Sequence, residues 1–355
     1  MWTVAGGVAV PSRKQGEGGL HGRVYRERRV LPGRLGLRCS PLGGSPEGSF
    51  EDYVTGLQDR ICDAVERADG SGKRFITDRY ARERGGGYGI TRVLEGGDLV
   101  EKAACNVSVI SGVLTAERAK AMSGRGRKEI DVRGGQSYSA VAMSLVFHAA
   151  SPMVPTFRAD VRYFAVEGVE GGGWFGGGAD LTPSYYFEED VREFHAHWRD
   201  VLAPYGADVY PRYKAACDAY FYIPMRKERR GVGGIFFDDV QAVDVDEISG
   251  GAEAMTRAVG SSLLDSWLPI TERRRGMPFT AEQREWQLMR RGRYIEFNLL
   301  YDRGVRFGLD GGRIESIMVS APPLVAWNYN VVPEPGSPEA QLVDVLQASP
   351  PHEYV

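Results

Sequence analysis

Apolar and polar positions alternate between helical and strand periods along most of the chain. Phe50, Tyr53, Val54, Leu57, Ile61 and Val65 recur at helical spacing. Ser49 stands where an N-cap belongs and Gly70 where a helix ends. Strand-length apolar runs follow around 75–80, 88–94 and 106–113, while the polar, glycine-punctuated stretch 119–137 reads as a loop. The strongly apolar run 138–148 fits a buried strand. After the turn-like Ser151-Pro152, residues 157–166 alternate, with Phe157, Ala159, Val161 and Tyr163 set against Arg158, Asp160, Arg162 and Phe164. A helix is predicted over 188–202, where Phe187, Val191, Phe194, Trp198 and Val201 form a stripe. Others are predicted over 211–222, with Pro211 in the first turn, and over 251–267, 280–290 and 337–347. Residues 231–240 read as another strand.

The stretch 292–320 carries a second strong alternation. Tyr294, Glu296, Asn298, Leu300 and Asp302 fall on one face, and Ile295, Phe297, Leu299 and Tyr301 on the other. This predicts two strands joined as a hairpin, with Asp302-Arg303-Gly304 ending the first and Gly311-Gly312-Arg313 opening the return. Strands and helices interleave without a regular βαβ rhythm. The expected class is therefore α+β, a mostly antiparallel sheet with helices packed on it.

Composition changes this picture at the N-terminus. Residues 1–46 hold Arg13, Lys14, Arg23, Arg26, Arg28, Arg29, Arg34 and Arg38 against Glu17 and Glu27, with glycine and proline throughout. The segment fits either an organelle-targeting sequence or a disordered extension. The chain thus divides into an extension over 1–48 and a single folded domain over 49–355. A hydrophobic fraction of 43% and a net charge of −3 describe an ordinary soluble protein, with no basic excess for nucleic acid. No apolar run approaches the roughly 20 residues of a transmembrane helix. The expected location is the cytoplasm, or a plastid or mitochondrion if the extension acts as a transit segment. Cys39, Cys62, Cys105 and Cys217 lie far apart with no CxxC pair, which suits a reducing compartment. Five histidines without HExxH argue against a metal site, and neither GxGxxG opening a helix nor GxxxxGK[ST] is present.

The candidate chemistry lies in charge and glycine. Arg158, Asp160 and Arg162 share one strand face, which on its own reads as a solvated face. Joined in one sheet with Asp302, Arg303 and Arg313, they would line a guanidinium-rich cleft holding a carboxylate. Arginine forks match carboxylates, so the implied ligand is a polycarboxylate whose body offers N–H donors to Asp302 or Asp160. Gly176-Gly177-Gly178 behind Trp174-Phe175 leave two readings open. The backbone could lie under a flat apolar ligand with the aromatics as floor, or form a tight loop with Trp174 in the core.

Five stretches carry a resemblance: WFGGGADLTPSYYFEED at 174–190, VYPRYKAACDAYFYIP at 209–224, ERRGVGGIFFDDV at 228–240, LPITERRRGMPFTAEQREWQLMRRGRYIEFNLLYDRGVRFGL at 268–309, and GGRIESIMVSAPPLVAWNYN with PEPGSPEA at 311–340. From about Ser49 onward the chain resembles oxygen-dependent coproporphyrinogen-III oxidase. The resemblance implies a flat antiparallel sheet between helix layers and a homodimer, with residues from about Tyr294 to Trp327 in the interface region. It implies conversion of the ring A and B propionates of coproporphyrinogen III to vinyl groups, with molecular oxygen as co-substrate and no metal or organic cofactor. It places Ser144, Asp160, Arg162, Arg303, Gly311, Gly312 and Arg313 at the substrate. By the same resemblance, Asp302 is expected to be the catalytic carboxylate toward the pyrrole N–H groups, with Arg162 taking part.

Three positions depart from the family pattern. Arg158 stands for a histidine assigned as proton donor, Asp160 for an asparagine, and Met225 for another histidine, so the set sometimes assigned to a metal keeps only His148 and His195. Any acid catalysis would then come from water or another group. These departures motivate an alternative, a porphyrinogen- or haem-binding relative weakened in catalysis. A metal-dependent oxidoreductase is disfavoured by ligand count.

Overall fold

The computed structural model describes residues 48–82, 86–124, 127–169, 173–241, 248–309 and 312–355. The extension expected over 1–48 lies outside them except for Gly48, as does Gly311. Helix α1 (Phe50–Asp69) precedes strands β1 (Ile76–Ala81), β2 (Gly86–Glu95) and β3 (Val100–Val113). Then come α2 (Ala116–Ser123), β4 (Ser137–Ala149), β5 (Thr156–Val166) and β6 (Trp174–Thr182). Helices α3 (Glu188–Leu202) and α4 (Val209–Tyr220) lead to the two-residue strands β7 (Tyr222–Ile223) and β8 (Glu228–Arg229), then β9 (Gly233–Gln241). Helices α5 (Ala252–Ser261), α6 (Leu268–Arg274), α7 (Ala281–Leu300), α8 (Arg303–Leu309), α9 (Ile314–Met318) and α10 (Pro338–Gln347) follow.

Seven strands pair antiparallel in the order β1-β2-β3-β4-β5-β6-β9, and β7 and β8 form a separate small hairpin. The class is α+β, as the interleaved pattern predicted. Alternation in β5 sends Phe157, Ala159 and Val161 into the main core, which is shared with Val54, Leu57 and Ile61 of α1, Phe194 and Trp198 of α3, and Met255 and Val259 of α5. The opposite face meets α7 and the segment after it through Ala104, Val146, Tyr294, Ile295 and Val319. Helix α4 runs along edge strand β9. Tyr213 stacks on Phe237 and Tyr220 on Phe236, and these phenylalanines point to opposite faces, so the helix covers the edge.

The N-terminus of α1 forms as its residues dictate. The Ser49 hydroxyl accepts from the Asp52 N–H at 3.1 Å, the Asp52 carboxylate accepts from the Ser49 N–H at 3.3 Å, and Gly70 closes the helix at φ 78°.

Three expectations are overturned. Where a hairpin was expected over 292–320, the described residues form the end of α7 to Leu300, then α8 and α9. The alternation from Tyr294 to Asp302 coexists with a helical period that places Tyr294, Phe297 and Asn298 together in the interior. A capping box at Thr280 and Gln283 starts the helix, and Ile295 is the single β-branched residue between 281 and 300. Second, the glycine run is strand β6, buried along all nine residues. Its flanking strands supply the pairing that glycine propensity disfavours. Third, the region read as a loop from 119 opens inside helix α2, capped by Thr115.

Candidate functional site

Strand register lays one row of same-face residues across the whole sheet. Asp78 of β1 opposes Thr91, Thr91 opposes Asn106, Asn106 opposes Ser144, and Ser144 opposes Asp160. The row continues through Gly178 to Phe236 on β9. Four strand spacings separate β1 from β5, about 19 Å. Arg158 and Arg162 flank Asp160 on the same face, opposite Asp180 and Gly176 of β6.

Charge is concentrated at the β5–β9 end. Asp160 pairs with Arg158 at 2.8 Å and, closer still, with Arg162. Arg162 reaches Asp238 at 3.1 Å, and Arg303 reaches the other oxygen of Asp238 at 3.3 Å. Arg158 also lies 3.9 Å from Asp180, which Arg230 holds at 2.5 Å. The Arg230 side chain is only 1% exposed and donates further to Asn298 Oδ1 at 2.9 Å. Burial works against the charged forms of Arg158 and Arg162. Asp160 first, then Asp180 and Asp302 for Arg158 and Asp238 for Arg162, outweigh it and push both upward. Both therefore stay cationic. Glycine makes the room, because a Cβ at Gly176 would sit 2.7 Å from Nε of Arg162.

Asp302 arrives at the row from above, at the junction of α7 and α8. The Phe297 carbonyl accepts from both the Tyr301 and Asp302 N–H groups, at 2.8 and 3.0 Å, which ends α7. Asp302 Oδ1 accepts from the Val305 N–H at 2.7 Å and so caps α8. The Tyr220 hydroxyl lies 3.4 Å from Oδ2 and accepts from the Arg303 N–H at 3.0 Å. Asp302 is 7% exposed.

Arg313 sits at the far end of the row. It pairs with Asp78 at 2.7 Å and lies over the Tyr80 ring at 4.5 Å. Helix α9 covers the β2 and β3 positions, since Asn106 Nδ2 donates to the Ser316 carbonyl at 3.2 Å and the Thr91 hydroxyl to Ser316 Oγ at 3.4 Å. The structure thus joins Arg158, Asp160, Arg162, Asp302 and Arg303 in one cluster, with Ser144 midway along the row. Arg313 is set apart at the opposite end. Gly312 packs against α8, where its N–H donates to the Gly308 carbonyl at 2.8 Å and a Cβ would lie 2.3 Å from that oxygen.

The aromatics beside the glycine run are not a floor. Phe175 points into the main core, and Trp174 is buried in a smaller cluster at the end of the sheet, where Arg127 lies over it at 4.4 Å. Tyr220, Asp180, Arg230, Asp238 and Asn298 belong to the site yet escape a reading of charge alternation. The signal for Asp180 was available. Read as a strand, Gly176, Gly178 and Asp180 fall on one face.

His148 and His195 are each enclosed by their own partners. His148 Nε2 donates to the Ser320 carbonyl at 2.9 Å, its ring meets Tyr294 edge-on, and burial pushes it down to about 3. His195 Nε2 donates to the Val232 carbonyl at 3.0 Å, Nδ1 accepts from the Tyr210 hydroxyl at 2.9 Å, and burial lowers it to about 4. With both nitrogens of His195 occupied, its lone pair is not offered to a metal. Met225 is exposed on the turn between β7 and β8. Among the described residues no three His, Cys, Asp or Glu side chains are grouped to hold a metal ion, and no helix is long and apolar enough to cross a membrane.

Residues 49–352 match the family model described as coproporphyrinogen III oxidase.

Proposed function

Because the chain belongs to the coproporphyrinogen III oxidase family, oxidoreductases of porphyrin and haem biosynthesis, we propose that it carries out the oxygen-dependent reaction on coproporphyrinogen III. Each of two propionates loses carbon dioxide together with a hydride equivalent. Molecular oxygen takes the two electrons and, with that hydrogen and one proton, leaves as hydrogen peroxide; the side chain becomes vinyl. The pyrrole ring relays the electrons, so the reaction calls for no metal or organic cofactor.

The observation that carries this reading is the placement of one buried carboxylate, Asp302, above a row rich in guanidinium. Arg162 and Arg303 suit substrate carboxylates at one end and Arg313 suits one at the other, with about 19 Å of polar floor between β1 and β5. Asp302 then accepts the pyrrole N–H, takes its proton as the hydride leaves, and returns it to the same nitrogen as carbon dioxide departs. Arg158 contributes charge and not a proton, because its guanidinium is held cationic by Asp160. The proton consumed in forming peroxide comes from water or another group.

The same reading proposes a homodimer through the region from Tyr294 to Trp327. Its support is that the large apolar side chains Leu299, Leu300, Leu324 and Trp327 within that region are each exposed in the single chain.

Anaerobic loading with coproporphyrinogen III, followed by admission of air, tests the function. Product mass is expected to show the loss of two carboxyl groups with oxygen uptake, unchanged by EDTA. Tight binding with only background autoxidation would instead establish the binding-relative reading that Arg158 motivates, and inhibition by EDTA would overturn the cofactor-free chemistry. Asp302→Ala is expected to lower turnover by about 10²- to 10⁴-fold, the usual worth of a positioned base, with a smaller change in KM. Turnover like the wild type would remove Asp302 from its role.

A further inference from the structure

The two oxygens of Asp302 are held differently. Oδ1 is committed to the start of α8 through the Val305 N–H at 2.7 Å. Oδ2 has the Tyr220 hydroxyl at 3.4 Å, long enough to leave that oxygen available to a better donor. The hydroxyl oxygen accepts from the Arg303 N–H at 3.0 Å, which leaves its one proton to point at Oδ2. One side chain therefore spans the last residue before α8 and the first residue within it.

The ring that carries this hydroxyl is fixed on several sides. It stacks on Phe236 with centroids 4.3 Å apart and planes at 7°, and meets Phe297 edge-on at 5.7 Å. The Arg303 guanidinium lies over it at 4.8 Å while reaching Asp238. Ring and hydroxyl thus do separable things: the ring supports the Arg303 head, and the hydroxyl sets the backbone of Arg303 and the carboxylate of Asp302. A residue serving only to fill the core would do so as phenylalanine, since nothing in that packing uses the oxygen.

We propose that Tyr220 is the positioning residue for Asp302, its hydroxyl fixing the start of α8 so that Oδ2 faces the polar row. This rests on Asp302 being the group that meets the pyrrole N–H. The weak contact on Oδ2 orients that oxygen before substrate binds and yields to the substrate's donor. Loss of the hydroxyl costs turnover more than binding, because the ring still supports Arg303.

Tyr220→Phe tests it with two readouts. Hydrogen exchange of the full chain is expected to quicken about tenfold at the amides of 303–306 and to stay unchanged elsewhere. With coproporphyrinogen III, kcat is expected to fall about ten- to hundredfold and KM to change less than threefold, with Tm held. Tyr220→Leu, which also removes the ring, is expected to raise KM as well. Unchanged exchange at 303–306, or wild-type kcat in folded Tyr220→Phe, overturns the proposal. A wild-type protein that fails to turn over while Tyr220→Phe still loosens 303–306 would fault the oxidase reading and leave the positioning of Asp302 standing.

Discussion

Asp160 has two arginines and Arg158 has two carboxylates, and this redundancy governs what single changes cost. Removing Arg158 leaves Asp160 with Arg162 and Asp180 with Arg230. Removing Arg230 leaves Asp180, 3% exposed, with only the distant Arg158 at 3.9 Å. Breaking a buried pair from one side costs about 3–5 kcal/mol. Arg230→Met is therefore expected to lose about that much in urea unfolding, and Arg158→His clearly less. The buried histidines give an acid sensitivity of definite sign. Both have folded values below the unfolded value near 6.5, so the unfolded chain binds more protons, and their contribution is full above that pH and lost as pH falls toward about 3 for His148 and about 4 for His195. Each adds a slope of up to about 1.4 kcal/mol per pH unit in that window. Urea midpoints at pH 7 and 5 should diverge less in His148→Gln than in the wild type. The charged row on β5 was legible from alternation alone, because costly charges at every second position mark a face. The pairing of Asp180 with Arg230 was not, since it joins residues 50 positions apart.

Strand β6 and helix α7 show where pattern reading gave out, in opposite directions. In β6 the local preference of glycine spoke against a strand, and pairing with β5 and β9 overrode it. In α7 the local preference favoured a helix, and a period-2 pattern over nine residues concealed it. The resolution lies in the length of the helix, because the capped start at Thr280 carries a 20-residue helix through to Leu300. Elements with clear caps, such as α1 and α10, were read to within a residue. Helix α7 also presents Gly292 to the following segment. A Cβ there would lie 2.5 Å from the Ala326 carbonyl, while the Ala326 N–H donates to the Leu288 carbonyl at 3.0 Å. Gly292→Val is expected to lift this segment from the helix, lowering stability by about 1–3 kcal/mol with helix content by circular dichroism nearly unchanged.

At the scale of the molecule, the sheet determines where the cations lie and the helices determine what meets them. Strand order places Arg313's partner Asp78 four strands from Asp160, so two groups of arginines paired with carboxylates stand at the ends of a neutral polar stretch. The sequence reading put Arg158, Arg162, Arg303 and Arg313 in one cleft; that Arg313 stands apart at the β1 end could not be read, because it depends on strand order and on α9 lying over β2 and β3. The exposed surface after α7 gives a prediction at this scale. Leu324 and Trp327 are 54% and 53% exposed, and Leu324→Arg is expected to shift sedimentation from dimer to monomer. A wild-type chain that sediments as a monomer would refute the proposed homodimer.

The glycines under the arginines also determine how this site can change over generations. At Gly176, Gly177 and Gly178 the place of a Cβ is taken by the Arg162 side chain or by the Asp160 or Ile235 carbonyl, all within 2.7 Å, and at Gly231 and Gly234 a carbonyl of β6 lies 2.0 Å away. No amino acid is smaller, so every missense codon at these positions adds volume where none exists. Arg158 and Asp160, by contrast, answer one another and can be exchanged together without leaving a charge alone. A lineage can therefore revise the chemistry on this face of the sheet two residues at a time, while the strand beneath it stays almost invariant.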